Sequence, residues 1–199
     1  VLSHGLFGFD DIVGYNYWYR IPEELRRSGA EVYVTQVAAA NSTEVRGEQL
    51  ARQVEDILAA TGAQKVNLIG HSHGGPTVRY VASVYPQYVA SATSVAGPHT
   101  GARMADVLLG VQENLPLTAE LLGDIVNAAV GFLDLISGGG YDQDSLAALY
   151  SLSTQGSSEF NSHYPEGLPQ QACGEAPEKG SNGVSYYSWS GAKPLTNCL

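Results

Sequence analysis

The chain has 199 residues, of which 44% are hydrophobic, so it is long enough to bury a substantial core within a single domain spanning residues 1–199. Twenty acidic residues against ten basic ones leave a net charge of −10, which disfavours nucleic acid and anionic membrane surfaces as partners, since both attract basic patches. No apolar run approaches the roughly 18 residues that a membrane-spanning helix needs.

Strands and helices alternate through most of the chain. Short apolar runs predict strands, and the spacing of Leu50, Val54, Ile57 and Leu58 predicts an amphipathic helix. The predicted elements are a strand at 1–3, a helix at 22–28, a strand at 31–37, a helix at 46–60, a strand at 65–69, a helix at 75–85, a strand at 90–95, a helical region at 105–150 and a late aromatic strand around 184–189. This alternation indicates the α/β class, with a mostly parallel sheet covered by helices on both faces.

A strand–turn–helix motif is the most informative feature of the sequence. The apolar run 66–69 leads into Gly70, Ser72 and Gly74, which match the pattern Gly-x-Ser-x-Gly, and a helix-compatible run follows. The glycines leave room for a strained turn that exposes the serine hydroxyl, and the free amides of the helix start face developing negative charge. Ser72 is therefore the candidate nucleophile, with a purely structural glycine-rich turn as the alternative.

A second motif, at the start of the chain, agrees with the first. The strand at 1–3 runs into His4-Gly5-Leu6. In enzymes built on such an elbow, an amide from an early loop joins the amide after the nucleophile to form the oxyanion hole. The predicted donors are the backbone amides of Leu6 and His73. An ordinary tight turn at His4-Gly5 is the alternative.

The helical region at 105–150 contains a segment with two interpretations. One narrow stripe of polar residues interrupts an otherwise apolar helix over 117–136, and it is formed by Glu120, Asp124, Asn127 and Asp134. Periodicity alone favours a core helix with one solvent-exposed edge. The alternative is a mobile lid that covers Ser72 in water and turns its apolar face to a lipid interface.

These motifs and the sequence around them resemble the secreted bacterial triacylglycerol lipases of the Pseudomonas and Burkholderia type, members of the α/β-hydrolase superfamily. The similarity runs the length of the chain and is especially close to the Pseudomonas branch, and the matching segments are 4–10, 45–50, 65–75, 80–82, 91–99, 172–175 and 186–191. The resemblance implies an α/β-hydrolase fold and hydrolysis of long-chain acylglycerols through an acyl-enzyme on Ser72. It also favours the lid interpretation of 117–136.

The resemblance further implies a location, partners and a metal ion. It implies a triacylglycerol substrate at an oil–water interface, export through the periplasm and a dedicated membrane-anchored foldase. A structural calcium ion is implied as well, but its ligands would follow Leu199. No catalytic cofactor or metal is expected among the 199 residues, because no His or Cys cluster has ligand spacing and His71 and His73 flank a turn.

The remaining members of a catalytic triad are the difficulty. The histidines after Ser72 are His73, His99 and His163. In the lipases that the chain resembles, the catalytic Asp and His lie well beyond the segment that matches 187–191, so we expect a fragment, truncated at both ends and inactive alone. The alternative is a compact triad of Ser72, His163 and an acid such as Asp142 or Asp144, which has the required chain order.

The cysteines fit the same expectation. In the lipases, the cysteine at the position of Cys173 pairs with a later one, in a segment that would follow Leu199. Cys198 is not at the position of that partner, and a Cys173–Cys198 bridge is the alternative. Two rival functions also stay open: an esterase or acyltransferase for shorter acyl esters, and a non-catalytic binding protein on a hydrolase fold.

Overall fold

The computed structural model describes residues 1–8, 11–12, 15–110, 141–171 and 174–191. In chain order the elements are β1 (Leu2–Ser3), β2 (Asp11–Ile12), β3 (Tyr15–Asn16), α1 (Ile21–Arg27), β4 (Val34–Thr35), α2 (Thr43–Thr61), β5 (Val66–His71), α3 (Gly74–Val84), a 3₁₀ turn (Pro86–Tyr88), β6 (Val89–Val95), α4 (Arg103–Leu108), α5 (Ser145–Leu152), α6 (Thr154–His163) and β7 (Ser185–Trp189). The candidate lid at 117–136 lies outside the described residues, as do Cys173 and Cys198.

A five-stranded parallel sheet organises these elements. Its strand order is β4-β1-β5-β6-β7, and β2 and β3 form a separate antiparallel pair. The predicted α/β class is thus confirmed. Because all five strands run the same way, their carboxyl ends meet at one edge, where open α/β sheets bind ligands. The turns after β1 and β5, which carry the two sequence motifs, therefore lie side by side.

The main core lies between the sheet and two long helices. On β5, Val66 and Leu68 are buried, and they join a cluster with Leu50 and Val54 of α2 and with Val81 of α3. The helical spacing of these apolar residues explains why α2 and α3 fold against the sheet, since burial of each side chain stabilises the fold by about 1.5–3 kcal/mol.

Helix α2 has clear boundary signals at both ends. The Ser42 hydroxyl caps the N-terminus by accepting a hydrogen bond from the Val45 amide at 3.2 Å, and Gly62 ends the helix in the left-handed conformation, with φ 72°. The cap starts the helix at Thr43, three residues before the start predicted from periodicity. Among the described residues, no helix is long and apolar enough to cross a membrane.

The strand predicted at 31–37 is much shorter in the structure, where β4 covers only Val34–Thr35. Its sheet neighbour β1 offers two residues for pairing. Beyond Thr35 the backbone amides bind side chains instead of a strand: Gln36 donates to Gln53, Val37 to His4 and Ala38 to Gln49. The prediction was wrong in extent because a strand needs a backbone partner, which local sequence does not reveal.

Candidate active site

Ser72 occupies a strained turn between β5 and α3. Its φ angle is 55°, in the left-handed region that residues other than glycine seldom adopt. The Ser72 amide donates to the carbonyl of Val95 at 2.9 Å, and the Ser72 carbonyl accepts from the Gly75 amide at 2.9 Å. These bonds hold the turn to the end of β6 and to the start of α3, so the strand–turn–helix context of a nucleophile elbow is present.

The glycines on either side of Ser72 are required by close backbone packing. A Cβ atom on Gly70 would overlap the carbonyl of Gly74, and one on Gly74 would overlap the carbonyl of Ser3. The end of β1, the end of β5 and the start of α3 therefore meet with no space for side chains. This is the physical reason for the Gly-x-Ser-x-Gly pattern in residues 70–74, which we call the nucleophile elbow.

Residues 4–8 follow β1 and lie against this elbow; we call them the oxyanion loop. A Cβ atom on Gly5 would lie 2.8 Å from Cβ of Ser72 and 2.8 Å from the Tyr17 hydroxyl oxygen. The Phe7 amide donates to the carbonyl of Ala39 at 2.8 Å, which fixes the far side of the loop. The loop thus passes as close to Ser72 as its backbone permits.

The two predicted oxyanion donors have amides available for a ligand. Within the described part of the chain, neither the Leu6 nor the His73 amide donates a hydrogen bond to another protein atom. The Gly5 carbonyl accepts from His4 Nδ1 at 2.9 Å and from the Arg46 guanidinium at 3.3 Å. In a trans peptide the carbonyl and the following N–H point in opposite directions, so the Leu6 amide is turned away from the buried guanidinium.

Arg46 holds the oxyanion loop from inside the protein, and it was not among the residues singled out from the sequence. Its side chain is fully buried and donates to the carbonyls of Ala38, Ala39, His4 and Gly5; the bonds to His4 and Gly5 measure 2.6 and 3.3 Å. Burial lowers the pKa of this guanidinium to about 9, so the group stays charged at neutral pH. One signal pointed to it: Arg46 lies four residues before Leu50, on the apolar face of α2.

Two buried histidines near the site are structural rather than basic. Nε2 of His4 accepts from the Val37 amide at 3.2 Å, so the ring proton sits on Nδ1 and is donated to the Gly5 carbonyl. Nε2 of His73 lies 2.9 Å from the Thr43 hydroxyl, and burial, followed by the charge of Arg46, holds the pKa of His73 well below its usual value. Both rings are neutral parts of the scaffold.

His99 is engaged away from Ser72. Its Nδ1 accepts from the Arg79 guanidinium at 3.0 Å, so Nε2 carries the proton and donates to the Ser94 hydroxyl at 2.8 Å. Burial, and then the Arg79 charge, lowers the pKa of His99 to about 4. Among the described residues, no histidine hydrogen-bonds the Ser72 hydroxyl.

The compact triad considered from the sequence is not assembled in the described structure. His163 is the last residue of α6 and is exposed. The Asp144 carboxylate instead caps α5, accepting from the Ala147 amide at 2.9 Å. In the described ranges, the one ion pair joins Arg27 to Glu24, and no group of three or more His, Cys, Asp or Glu side chains could hold a metal ion.

Comparison with known proteins agrees with this geometry. The family model for the alpha/beta hydrolase fold matches residues 1–122. The chain belongs to the alpha/beta hydrolase fold family. This match spans both the oxyanion loop and the nucleophile elbow.

Two relatives of the chain are bacterial triacylglycerol lipases. A triacylglycerol lipase of Vibrio cholerae is 55% identical over 200 residues, which cover 100% of this chain and 64% of the relative. A triacylglycerol lipase of Pseudomonas fragi is 44% identical over 197 residues, which cover 96% of this chain and 65% of the relative. The resemblance to bacterial triacylglycerol lipases is thus confirmed, and the chain spans 64% and 65% of the lengths of these two proteins.

A solved structure shows the same fold. The lipase BlEst2 of Bacillus licheniformis, in its mature form, matches with a TM-score of 0.64 at 18% identity, over 94% of this chain and 62% of that one. At this identity the likeness concerns the arrangement of the sheet and helices. In this chain, that arrangement brings the turns after β1 and β5 together.

Proposed function

We propose that the protein is a secreted triacylglycerol lipase that uses Ser72 as its nucleophile. The observation that carries this proposal is the packing of Ser72: its backbone is held in the left-handed conformation while the side-chain-free Gly5 of the oxyanion loop lies against it. A serine held in such strain over a loop with an available amide is expected at a site of acyl transfer. The relatives named triacylglycerol lipase supply the substrate class.

The proposed reaction proceeds through an acyl-enzyme. The Ser72 hydroxyl oxygen attacks the ester carbonyl carbon and gives up its proton to a general base. The negative oxygen of the tetrahedral intermediate accepts hydrogen bonds from the Leu6 and His73 amides, each of which contributes about 2.7–4 kcal/mol to such a step. Collapse expels the alcohol of the acylglycerol, and water then releases the fatty acid from Ser72.

Two features of the described residues support the electrostatics of this step. Helix α3 begins at Gly74, so its free amides and positive dipole end face the oxygen that gains charge. Arg46 keeps its charge and directs it at the carbonyls of the oxyanion loop, which fixes the loop before substrate arrives. A donor set that is already in position needs no reorganisation during the reaction.

The wider setting belongs to the same proposal. From the resemblance to the Pseudomonas-type lipases we also propose a lipid substrate at an interface, export from the cell, a foldase partner, a lid over 117–136 and a structural calcium ion. The acyl-transfer steps at Ser72 do not involve the foldase, the lid or the calcium ion.

The test is the substitution Ser72→Ala in the natural protein. Hydrolysis of emulsified long-chain triglyceride and of a dissolved short-chain ester should both fall by about 10⁵-fold or more, while the melting temperature changes little. Ser91→Ala is a matched control, because the Ser91 hydroxyl donates to Asn67 at 2.7 Å in an exposed part of the sheet. Turnover near that of the wild type in Ser72→Ala would refute the nucleophile assignment.

The substrate class needs a separate measurement. A lipase should be faster on emulsified long-chain triglyceride than on the same acyl ester below its solubility limit. Activity confined to dissolved short-chain esters would identify a carboxylesterase instead. Failure of Ser72 to react with an organophosphonate would point to a binding protein, because only an activated serine reacts rapidly.

A further inference from the structure

Tyr17 lies between the oxyanion loop and the nucleophile elbow. Its hydroxyl oxygen accepts a hydrogen bond from the Gly5 amide at 3.1 Å and lies 2.5 Å from Nδ1 of His71. A Cβ atom placed on Gly5 would lie 2.8 Å from this oxygen and 2.8 Å from Cβ of Ser72. A single phenol thus touches the loop and the elbow within one residue of the candidate nucleophile.

The position of this hydroxyl is set by aromatic packing. The Tyr17 ring meets the Trp18 ring at an interplanar angle of 71°, with centroids 5.5 Å apart, and the His71 ring at 53° and 5.7 Å. A ring held on two sides places its hydroxyl with little freedom. Burial raises the pKa of Tyr17, so the phenol keeps its proton at neutral pH and has one to share with His71.

Tyr17 and Arg46 hold the same peptide group from its two ends. The His4 carbonyl accepts from the Arg46 guanidinium at 2.6 Å, and the Gly5 amide of that peptide donates to Tyr17. The carbonyl and the amide of one trans peptide point in opposite directions, so the two contacts together stop it from rotating. Rotation there would turn the next peptide, whose N–H is the Leu6 oxyanion donor.

We propose that Tyr17 is a positioning residue, whose hydroxyl sets the distance between the oxyanion loop and Ser72 by bridging the Gly5 amide to His71. This inference rests on the proposed serine mechanism. The ring of Tyr17 packs against its neighbours, whereas the hydroxyl fixes the position of the oxyanion loop relative to the nucleophile elbow. Removing the hydroxyl alone should therefore slow the reaction and leave the fold intact.

The decisive variant is Tyr17→Phe in the natural protein, assayed with a dissolved short-chain ester. We expect kcat to fall by about tenfold to a hundredfold, since small displacements of reacting groups have effects of this size, while KM changes by about twofold or less. The inhibition constant of an alkylboronic acid, whose adduct with Ser72 presents a negative oxygen to the Leu6 and His73 amides, should rise by a similar factor. If Tyr17 only stabilised the fold, kcat and the inhibition constant of the boronic acid would not change by the same factor.

Two further variants separate the bridge from general packing. His71→Ala should reduce kcat to a similar extent, and the double variant Tyr17→Phe, His71→Ala should be no slower than the slower single variant, because both remove one bridge. Tyr80→Phe is the matched control: the Tyr80 ring is buried, and its hydroxyl donates to Glu48 of α2 at 2.7 Å, without contacting the oxyanion loop. It should keep the kcat of the wild type.

Each contrary outcome has a distinct meaning. Wild-type kcat and boronate affinity in Tyr17→Phe, with Ser72→Ala inactive, would overturn the positioning role and leave the proposed function standing. Equal losses of rate in Tyr17→Phe and Tyr80→Phe, with lowered melting temperatures, would assign the effect to stability and also overturn it. Activity that survives Ser72→Ala would overturn the proposed function itself.

Discussion

Replacing Arg46 with Met should separate the proposed esterase activity of this protein from its stability. The substitution withdraws a donor from four backbone carbonyls. Two of them keep another partner, because the Gly5 carbonyl still accepts from His4 and the Ala39 carbonyl from the Phe7 amide. The other two lose their guanidinium bond, at about 1–3 kcal/mol for each buried acceptor left unpaired.

A second contribution has the opposite sign. Arg46 is a fully buried cation whose described partners are carbonyls and the Thr77 hydroxyl, so folding strips its water without a carboxylate in return. Met has a similar volume and no charge, which removes a desolvation penalty of several kcal/mol. The two contributions largely offset each other, and we expect the free energy of unfolding to fall by about 0–3 kcal/mol.

The reaction rate has no such compensation. Without the guanidinium, the peptide groups on the two sides of Gly5 keep only their contacts with Tyr17 and His4, so the direction of the Leu6 amide is less firmly fixed. Loss of one oxyanion donor is worth about 2.7–4 kcal/mol, so kcat should fall by up to about 10²–10³-fold. Arg46→Lys should be similarly slow, because a single ammonium cannot reproduce a planar fork that reaches several carbonyls.

The assay combines urea unfolding with kcat and KM on a dissolved short-chain ester. Arg79→Met is the matched control, since Arg79 is also a buried arginine but donates to His99 and Asn161, not to the oxyanion loop. It should lower stability and keep kcat. A folded Arg46→Met protein with the kcat of the wild type would refute the argument that this guanidinium orients the Leu6 amide.

Gly5→Ala should cut kcat severely while the protein still folds, because the added methyl would lie 2.8 Å from both Ser72 Cβ and the Tyr17 hydroxyl; steady-state kinetics and the melting temperature check this. His99 has a folded-state pKa of about 4, below its ordinary value near 6.5, so the unfolded state binds more protons in that window and stability should fall as the pH is lowered from about 6.5 to 4. Melting temperatures measured across this range should decline less in His99→Gln, and an unchanged decline would contradict the role of His99.

Local sequence was sufficient for the elbow and for the fold class. The pattern from Val66 to Gly74 contains its own explanation, since an apolar strand, two glycines and a helix start are neighbours in the chain. The apolar spacing in α2 likewise predicted which side faces the sheet, because helical periodicity is a property of a single segment. The α/β class followed from the alternation of such segments.

Two side chains that orient the oxyanion loop were not found in this way. Arg46 and Tyr17 meet the loop across 42 and 12 positions of sequence, and nothing near either residue indicates that its partner is a backbone carbonyl or amide of Gly5 or His4. A hydrogen bond to a backbone group does not depend on the type of the partner residue, so the sequence does not indicate it. Only the folded chain, which brings α2 and the segment after β3 against the end of β1, reveals them.

Residues that are neighbours in the chain predicted a serine between glycines, an early loop and a parallel sheet that carries both. The orientation of these groups depends on contacts between residues that are far apart in the chain. Contacts between distant residues determine the length of β4, the neutral states of His4 and His99, and the hydrogen bonds by which Arg46 and Tyr17 hold one peptide group. These contacts are set by burial and by the need to satisfy each buried polar group, which are properties of the whole fold.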